Sequence, residues 1–201
     1  MFNLKGRNVV VSGASSGLGA QMALEVEKLC GKVDILVNCA GSAENAGVID
    51  MTDEQWDFTI KTDLTSVFFV TRAFANIMKK NNYGRIINIA SMYGLVGNTA
   101  IDTVAYHSSK GGVVNFTRAV AAELAKYQIT CNAICPGYFE TELTRDVLKT
   151  ESFKKYIDQT VPLKRHGNEG ELNAAATFLA SDEASYVTGA ILPVDGGYTA
   201  V

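Results

Sequence analysis

Short apolar runs that alternate with longer helical patterns constrain the fold of this chain most strongly. The strand-like runs lie at residues 8–12 (NVVVS), 34–38 (DILVN), 84–90 (GRIINIA), 130–135 (TCNAIC) and 190–194 (AILPV). Helical patterns lie at residues 17–30, 53–81, 105–126 and 169–181, and we expect the second to break into two helices near 62–65. The first three runs show no polar alternation, which is typical of parallel strands covered on both faces. We therefore expect a single α/β domain, residues 1–201, built on one mostly parallel sheet.

Composition and charge narrow the range of partners. The chain has 201 residues, of which 47% are hydrophobic and 19% charged, and its formal net charge is −3 without any basic run. Nucleic-acid binding requires clustered Lys and Arg, so we expect no nucleic-acid partner. No segment reaches the roughly 18 apolar residues of a membrane helix, and the first residues lack the layout of a secretory signal. We expect a cytoplasmic protein that does not enter a membrane.

The four cysteines are Cys30, Cys39, Cys131 and Cys135, and none has the spacing of a CxxC pair or of a zinc ligand. Cys131 and Cys135 lie roughly 13 Å apart if their segment is a strand, which is too far for a disulfide. We expect small buried thiols in a reducing compartment and no metal site.

A glycine-rich turn follows the first strand-like run. Gly13, Gly17 and Gly19 lie between NVVVS and a helical pattern, a context that suits a dinucleotide pyrophosphate at a helix start. The spacing is GxxxGxG rather than GxGxxG, so a tight turn without a ligand stays an alternative.

A tyrosine and a lysine lie four residues apart in the third helical pattern. Tyr106 and Lys110 would share one helical face. An ammonium near a phenol lowers the pKa of the phenol, and such a tyrosine can exchange a proton with a substrate oxygen. Ser91 follows the strand-like run GRIINIA, at the carboxyl end where open α/β sheets bind ligands. We expect Ser91 to hold a carbonyl or alcohol oxygen beside Tyr106.

Together these residues resemble the short-chain dehydrogenases/reductases over essentially the whole chain. The matching motifs are SGASSGLG at 12–19, NCAG at 38–41, NIAS ending at Ser91, Tyr106-x-x-x-Lys110, PGYFET at 136–141 and DGG at 195–197. The resemblance implies a doubly wound Rossmann-like sheet and hydride transfer with NAD or NADP. It also implies a homotetramer, with the helices around 68–80 and 106–126 at one interface.

The resemblance assigns a role to each motif residue. Tyr106 would be the general acid/base, Lys110 would lower its pKa and bind the nicotinamide ribose, and Ser91 would polarise the substrate carbonyl. Asn38, Ala40 and Gly41 would line the adenosine side, and Thr141 would hold the nicotinamide carboxamide. The full implied cofactor set is Gly13, Ser15, Ser16, Gly17, Leu18, Gly19, Asn38, Ala40, Gly41, Tyr106, Lys110, Pro136, Gly137 and Thr141. The choice between NAD and NADP stays open, since Ser16 gives no basic group for a 2′-phosphate.

Two features depart from the family pattern. Asp63 stands where the family usually has Asn, at a position that helps to hold a proton-relay water through its backbone carbonyl. The spacing of fifteen residues between Ser91 and Tyr106 is longer than usual, so we expect the intervening loop to bulge at the substrate pocket.

A segment of the family fold is absent between the glycine turn and NCAG. Only eighteen residues separate Gly19 from Asn38, whereas the second and third strands of the family, with their helices, need roughly 45 more. The seam is expected near residues 24–25. We expect that the printed sequence closes up over residues that a crystal did not show; the alternative is a true deletion, which would leave the first strand as an exposed apolar edge. An intact mass about 5 kDa above 21.6 kDa would support the first explanation.

The substrate pocket is expected near a long polar segment at 139–167, which we interpret as a lid. Basic residues in it provide candidate groups for an acidic substrate: Arg145, Lys149, Lys154, Lys155, Lys164, Arg165 and His166. The stretches PGYFETELT and PLKRHGNEGEL are similar to gluconate 5-dehydrogenase-like members, which interconvert gluconate and 5-ketogluconate. A 3-oxoacyl-acyl-carrier-protein reductase is the alternative, and a non-catalytic binding or assembly protein with the same fold is a third hypothesis.

Overall fold

The computed structural model describes residues 2–12, 32–42, 44–140 and 144–201, and the side chain of residue 145 is not described. Within these ranges the chain forms one five-stranded sheet in which every neighbouring pair is parallel, in the order β1-β2-β3-β4-β5. The glycine turn, the helical pattern at 17–30, the seam near 24–25, Cys30 and Thr141 lie outside the described residues. The predictions made for them therefore stay predictions.

The strands agree closely with the five apolar runs. Their bounds are β1 Val9–Ser12, β2 Ile35–Asn38, β3 Gly84–Ile89, β4 Ile129–Pro136 and β5 Ile191–Val194. β3 and β4 are buried along nearly their whole length, as continuous apolar runs predict for strands covered on both faces. The prediction of a parallel α/β sheet is confirmed.

The helical patterns at 53–81, 105–126 and 169–181 are confirmed, whereas two further described helices lie in the segment 139–167, for which no helix was predicted. The described helices are α1 Asp53–Ile60, α2 Ser66–Asn81, α3 Val104–Leu124, α4 Arg145–Leu148, α5 Glu151–Thr160 and α6 Asn173–Ala180. α1 begins with a capping box in which Thr52 accepts from the Gln55 backbone N–H and the Gln55 side chain accepts from that of Thr52. The expected break near 62–65 is a π-helical turn, Lys61–Thr65, through which the backbone stays helical from α1 into α2. Single π turns inside helices occur frequently at functional sites.

The two faces of the sheet bury different helices. One face presents alternate residues, including Leu36, Ile86 and Cys131, to Phe74 of α2 and Val120 of α3. The opposite face presents Ile35, Ile87 and Ile134 to Leu179 and Ala180 of α6. Each fully buried aliphatic side chain contributes about 1.5–3 kcal/mol relative to exposure. This two-sided core fixes the sheet and, with it, the positions of the strand ends.

β1 is the least covered strand of the described sheet. It lies at the sheet edge beside β2, and its Val9 and Val11 side chains are 47% and 64% exposed. The sequence predicted such an apolar edge for a chain without the second and third family strands. Within the described residues β1 is such an edge, and the cause of the short spacing stays a prediction.

A row of hydrogen-bonded polar side chains crosses the buried sheet. Ser12, Asn38 and Asn88 occupy matching positions on β1, β2 and β3. Asn38 accepts from the Ser12 hydroxyl at 3.3 Å and donates to Asn88 at 2.8 Å and to Thr71 of α2 at 3.0 Å. Asn88 in turn donates to Thr117 of α3 at 2.9 Å. Buried polar groups need hydrogen-bond partners, and here the partners lie on three strands and on both helices of one face. The row therefore links these five elements.

The cysteine prediction holds in part. Cys131 and Cys135 are buried free thiols, and burial raises the pKa of Cys131 to about 12 and that of Cys135 to about 11. Cys39 is also free but exposed, so the prediction of a buried thiol is wrong there. Cys39 directly follows β2, at the end of the strand where the chain leaves the core.

Candidate active site

The carboxyl ends of β2, β3 and β4 lie at one edge of the sheet because the strands are parallel. Gly41 lies three residues past the end of β2, Ser91 two residues past the end of β3, and Gly137 directly after β4. Ligands bind at this edge in open α/β sheets. The sequence-predicted residues of these three segments are therefore brought together as expected.

Close backbone packing sets the position of Ser91 against α3. Ser91 is buried and caps a short 3₁₀ turn, Met92–Gly94, by accepting from the Tyr93 N–H at 3.1 Å. A Cβ on Gly94 would stand 2.6 Å from the Lys110 carbonyl oxygen. The turn thus lies directly on the α3 backbone, and only glycine permits this approach.

Tyr106 lies on α3 beside Ser91, with an environment that keeps it protonated. Burial raises the pKa of Tyr106 to about 12, a hydrogen bond with Ser91 acts in the opposite direction, and the charge of Asp63 raises the pKa further. The sequence predicted a lowered pKa through Lys110, and this prediction is wrong in the present structure. The Lys110 ammonium is 5.4 Å from the Tyr106 ring centroid, and it already has another partner.

That partner is Asp63, in the π-helical turn between α1 and α2. Its Oδ2 atom lies 3.7 Å from Lys110 Nζ, a separation that makes an ion pair rather than a hydrogen bond. The Asp63 side chain is fully buried, and its Oδ1 accepts from the Ser42 N–H at 2.8 Å. Lys110 also donates to the Ile89 carbonyl at 3.2 Å. Asp63 therefore lies inside the site and takes part in its electrostatics.

Each member of this pair depends on the other for its charge. Burial raises the pKa of Asp63 while Lys110 opposes the rise, and burial lowers the pKa of Lys110 while Asp63 opposes the fall. Gly41 lies against the pair, since a Cβ there would stand 3.1 Å from Lys110 Nζ. A buried charge that loses its partner is strongly destabilising, so the two are held together.

The predicted cofactor residues are partly placed. Ala40 is buried and Gly41 lies over Lys110, while the Gly137 N–H donates to the Val194 carbonyl at 2.9 Å beside Pro136. The Asn38 side chain is engaged in the polar row with Ser12, Thr71 and Asn88. Six members of the glycine turn and Thr141 lie outside the described residues.

An aromatic cluster adjoins Ser91 and Tyr106. The hydroxyls of Tyr93 and Tyr138 lie 2.5 Å apart, and those of Tyr156 and Tyr198 lie 3.1 Å apart. Tyr93 meets Tyr106 edge to face with ring centroids 6.5 Å apart. Burial raises the pKa values of Tyr93 and Tyr138, so both phenols are neutral hydrogen-bonding groups. This tyrosine cluster (Tyr93, Tyr138, Tyr156 and Tyr198) joins the loop after β3 to α5 and to the C-terminal segment.

His107 is a site residue that the sequence reasoning missed. Its ring stacks on Tyr93 with centroids 4.5 Å apart. Asn98 accepts two backbone N–H groups with its oxygen, so its amide nitrogen must donate to His107 Nε2 at 2.9 Å. His107 Nδ1 lies 2.8 Å from the Thr103 carbonyl, an acceptor, and must carry the proton. His107 thus anchors the long loop that was expected to bulge. Its adjacency to Tyr106 was the available signal.

Two cavities have linings that include none of Ser91, Tyr106, Lys110 and Asp63. One of about 610 Å³ lies at the opposite end of the sheet, where Arg7 pairs with Asp182 at 2.5 Å. Another, of about 370 Å³, lies between the lid segment and β5, and its lining includes Tyr138 and Asp195 but neither Ser91 nor Tyr106. We assign the site by its chemistry at the strand ends rather than by cavity volume.

Comparison with known proteins matches this arrangement to one family. Residues 14–199 match the family model described as enoyl-(acyl carrier protein) reductase. Nodulation protein G of Azospirillum brasilense is 41% identical over 176 residues, covering 88% of this chain and 70% of that protein. The 3-oxoacyl-[acyl-carrier-protein] reductase MabA of Mycobacterium avium is 40% identical, covering 86% of this chain and 66% of that protein. The chain thus spans about two thirds of the length of these curated relatives.

A solved structure gives the same result at the level of the fold. A gluconate 5-dehydrogenase from Burkholderia cenocepacia J2315, in complex with NADP and tartrate, superposes with a TM-score of 0.93 at 28% identity. The superposition covers 100% of this chain and 98% of that one. The chain belongs to the short-chain dehydrogenase/reductase family of oxidoreductases.

Proposed function

We propose that the protein interconverts a secondary alcohol and a ketone by hydride transfer with NAD or NADP. The observation that carries the proposal is the meeting of Ser91 and Tyr106 at the carboxyl end of β3, with Lys110 one helical turn further along α3. A hydroxyl that orients the oxygen and a phenol that exchanges its proton are the two protein groups this reaction needs.

The described residues fit a dinucleotide at this edge. Gly41 lies directly against Lys110, where a Cβ would stand 3.1 Å from Nζ, and the proposal assigns Lys110 to the ribose hydroxyls of the cofactor. Gly137 packs so closely against Asp195 that a Cβ on Gly137 would stand 2.6 Å from the Asp195 Cα. Ala40 and Pro136 complete this part of the proposed cofactor site. The bound cofactor supplies or accepts the hydride.

The protein side of the reaction is the handling of one proton. In the reducing direction Ser91 donates a hydrogen bond to the carbonyl oxygen, and Tyr106 gives its phenolic proton to that oxygen as the carbon gains hydride. In the oxidising direction the Tyr106 phenolate takes the proton back from the alcohol. The raised pKa of Tyr106 suits the reducing direction at neutral pH, because the phenol is then fully protonated.

The proposed substrate is a small hydroxylated acid, gluconate or 5-ketogluconate. The hydroxyls of the tyrosine cluster offer polar contacts beside Tyr106, and the gluconate 5-dehydrogenase similarity supports the same class. A 3-oxoacyl-acyl-carrier-protein reductase is the second candidate, favoured by the 40% identity to MabA. Within the lid segment, Arg165 already pairs with Glu171 at 2.7 Å and Lys154 with Glu151 at 2.7 Å, so an anionic substrate would have to compete with these carboxylates.

Substitution of Tyr106 by Phe tests the reaction. We expect Tyr106→Phe to lower kcat by about 10²–10⁴-fold while the affinity for NAD(P)H, measured by cofactor fluorescence, stays unchanged. Tyr186→Phe is the matched control, because Tyr186 is fully exposed and far from any assigned role. Turnover should be compared for 5-ketogluconate and for an acetoacetyl thioester. Normal turnover by Tyr106→Phe would refute the mechanism and favour the non-catalytic hypothesis.

A cytoplasmic homotetramer is part of the same proposal. Phe68 and Phe69 on α2 are 42% and 43% exposed, and Phe68 packs edge to face on Phe116 of α3. This apolar face supports the subunit interface that the family resemblance implies. No helix in the described ranges is long and apolar enough to cross a membrane. Sedimentation analysis of the purified protein would measure the subunit number.

A further inference from the structure

The buried ion pair between Asp63 and Lys110 distinguishes this site from the family pattern, in which an uncharged Asn stands at position 63. Asp63 Oδ1 is bonded to the Ser42 N–H, as an Asn oxygen would be. Asp63 Oδ2 is buried and has no hydrogen-bond partner among the described residues. Its nearest opposite charge is Lys110 Nζ at 3.7 Å. The second oxygen therefore acts through its charge on the lysine.

We propose that Asp63 is a positioning residue that keeps the Lys110 ammonium as its own counter-ion, and so delays ionisation of Tyr106 to higher pH. The catalytic consequence of this proposal rests on the proposed function, in which Tyr106 exchanges a proton with the substrate. Geometry carries it: the ammonium is enclosed by Asp63, by the Ile89 carbonyl at 3.2 Å and by Gly41. The groups that enclose the ammonium are therefore Asp63, the Ile89 carbonyl and Gly41, and the Tyr106 hydroxyl is not one of them.

The groups that act on Tyr106 come from four elements. They are Ser91 after β3, Asp63 in the π-helical turn, Tyr93 in the 3₁₀ turn and Cys135 on β4. Lys110 is faced by Asp63, Cys39 and Cys135. Cys135 and Tyr93 are neutral groups, since burial raises their pKa values. Burial is the largest influence on the pKa of Tyr106, and the Asp63 carboxylate adds to the rise.

The direction of the effect follows from the charge that remains on Lys110. Asp63→Asn removes a negative charge that disfavours the phenolate. While Lys110 keeps its proton, its charge is released to stabilise the phenolate further, and Tyr106 ionises at lower pH. If Lys110 lost its proton in the variant, the lost ammonium would oppose the lost carboxylate, and the proposed shift would not be seen.

The first test is the pH profile of kcat/KM for alcohol oxidation, in which Tyr106 must be ionised. We expect Asp63→Asn to shift the acidic limb by about one pH unit to lower pH, which means about tenfold higher kcat/KM on that limb. Asp57→Asn is the matched control, since Asp57 is an exposed carboxylate on α1 and its removal changes net charge equally. A limb that coincides with that of the wild type, or moves to higher pH, would overturn the proposal.

The second test needs neither substrate nor cofactor. Tyrosinate absorbance of the wild type minus that of Tyr106→Phe reports the ionisation of Tyr106 alone. We expect this difference to appear only above the ordinary tyrosine pKa of about 10, and to appear at lower pH when both proteins also carry Asp63→Asn. Ionisation of Tyr106 below about pH 10 in the wild type would overturn the proposal even if Asp63→Asn failed to fold. Failure of the proposed function would appear separately, as absent NAD(P)H binding or as turnover by Tyr106→Phe.

Discussion

Substitution of Gly94 by Ala tests whether backbone packing positions Ser91. The added Cβ would stand 2.6 Å from the Lys110 carbonyl oxygen and 2.7 Å from its carbon, both of which are backbone atoms. The turn must therefore retreat by roughly 0.8 Å to reach an ordinary contact of 3.4 Å. Overpacking of this kind costs about 1–3 kcal/mol, which for a chain of this size lowers Tm by roughly 2–12 °C.

The catalytic effect should exceed the effect on stability. Ser91 lies three residues before Gly94 and caps the same 3₁₀ turn, so a retreat of the turn moves Ser91 away from Tyr106. Misplacement on the scale of 1 Å can cost about a hundredfold in rate, and we expect kcat/KM to fall about 10- to 100-fold. Gly97→Ala in the same loop is the control, because a Cβ there meets nothing within 4 Å. Wild-type Tm together with kcat/KM within about twofold for Gly94→Ala would refute the packing argument.

Two further substitutions test the core and the thiols. Asn38→Ala should lower the free energy of unfolding by about 2–4 kcal/mol, because it leaves buried partners on β3 and α2 unpaired, and a thermal melt against the exposed Asn81→Ala checks this. A loss below about 1 kcal/mol would mean that the polar row is not stabilising. Cys39→Ser should remove one thiol that reacts rapidly with a disulfide reagent at pH 8, because Cys39 is exposed. Cys131→Ser should leave the rapid phase intact, because burial and a raised pKa keep the Cys131 thiol protonated and unreactive. Equal losses of the rapid phase in both variants would contradict the assigned burial.

The sheet was predictable because its signal is local. A buried parallel strand reads as a short continuous apolar run, and all five runs form strands of one parallel sheet. The π-helical turn at Lys61–Thr65 was not predictable in kind, because one extra residue in a helical turn leaves no compositional mark in KTDLT. The sequence placed a break at the right position and missed only that the backbone stays helical through it.

The site was predictable as a set of positions but not as a set of charges. The strand-end rule and the spacing of four placed Ser91, Tyr106 and Lys110 together. The spacing could not show that Lys110 is paired with Asp63, because that contact joins two separate helical segments. It also could not show the depth of burial that dominates the pKa of Tyr106. His107 was missed for a similar reason, since its role depends on Asn98 in a loop without a periodic pattern.

The exposure of β1 bears on the short spacing between the glycine turn and β2. The sequence of β1, VVVS, and that of β2, ILVN, both have the composition of strands covered on both faces. Ile35 and Leu36 of β2 are fully buried, whereas Val9 and Val11 of β1 stay exposed. A long apolar edge strand is an aggregation site that natural proteins cover or interrupt. The composition of β1 therefore fits a protein with further sheet beside it better than the edge on which the described strands end. The two curated relatives are longer than this chain, since the alignments cover 66 to 70% of them and 86 to 88% of the chain, whereas the gluconate 5-dehydrogenase structure is covered to 98%. Additional strand–helix units between Gly19 and Asn38 would bury the two valines and would place an acidic or basic residue near the adenosine ribose, where the choice between NAD and NADP is made.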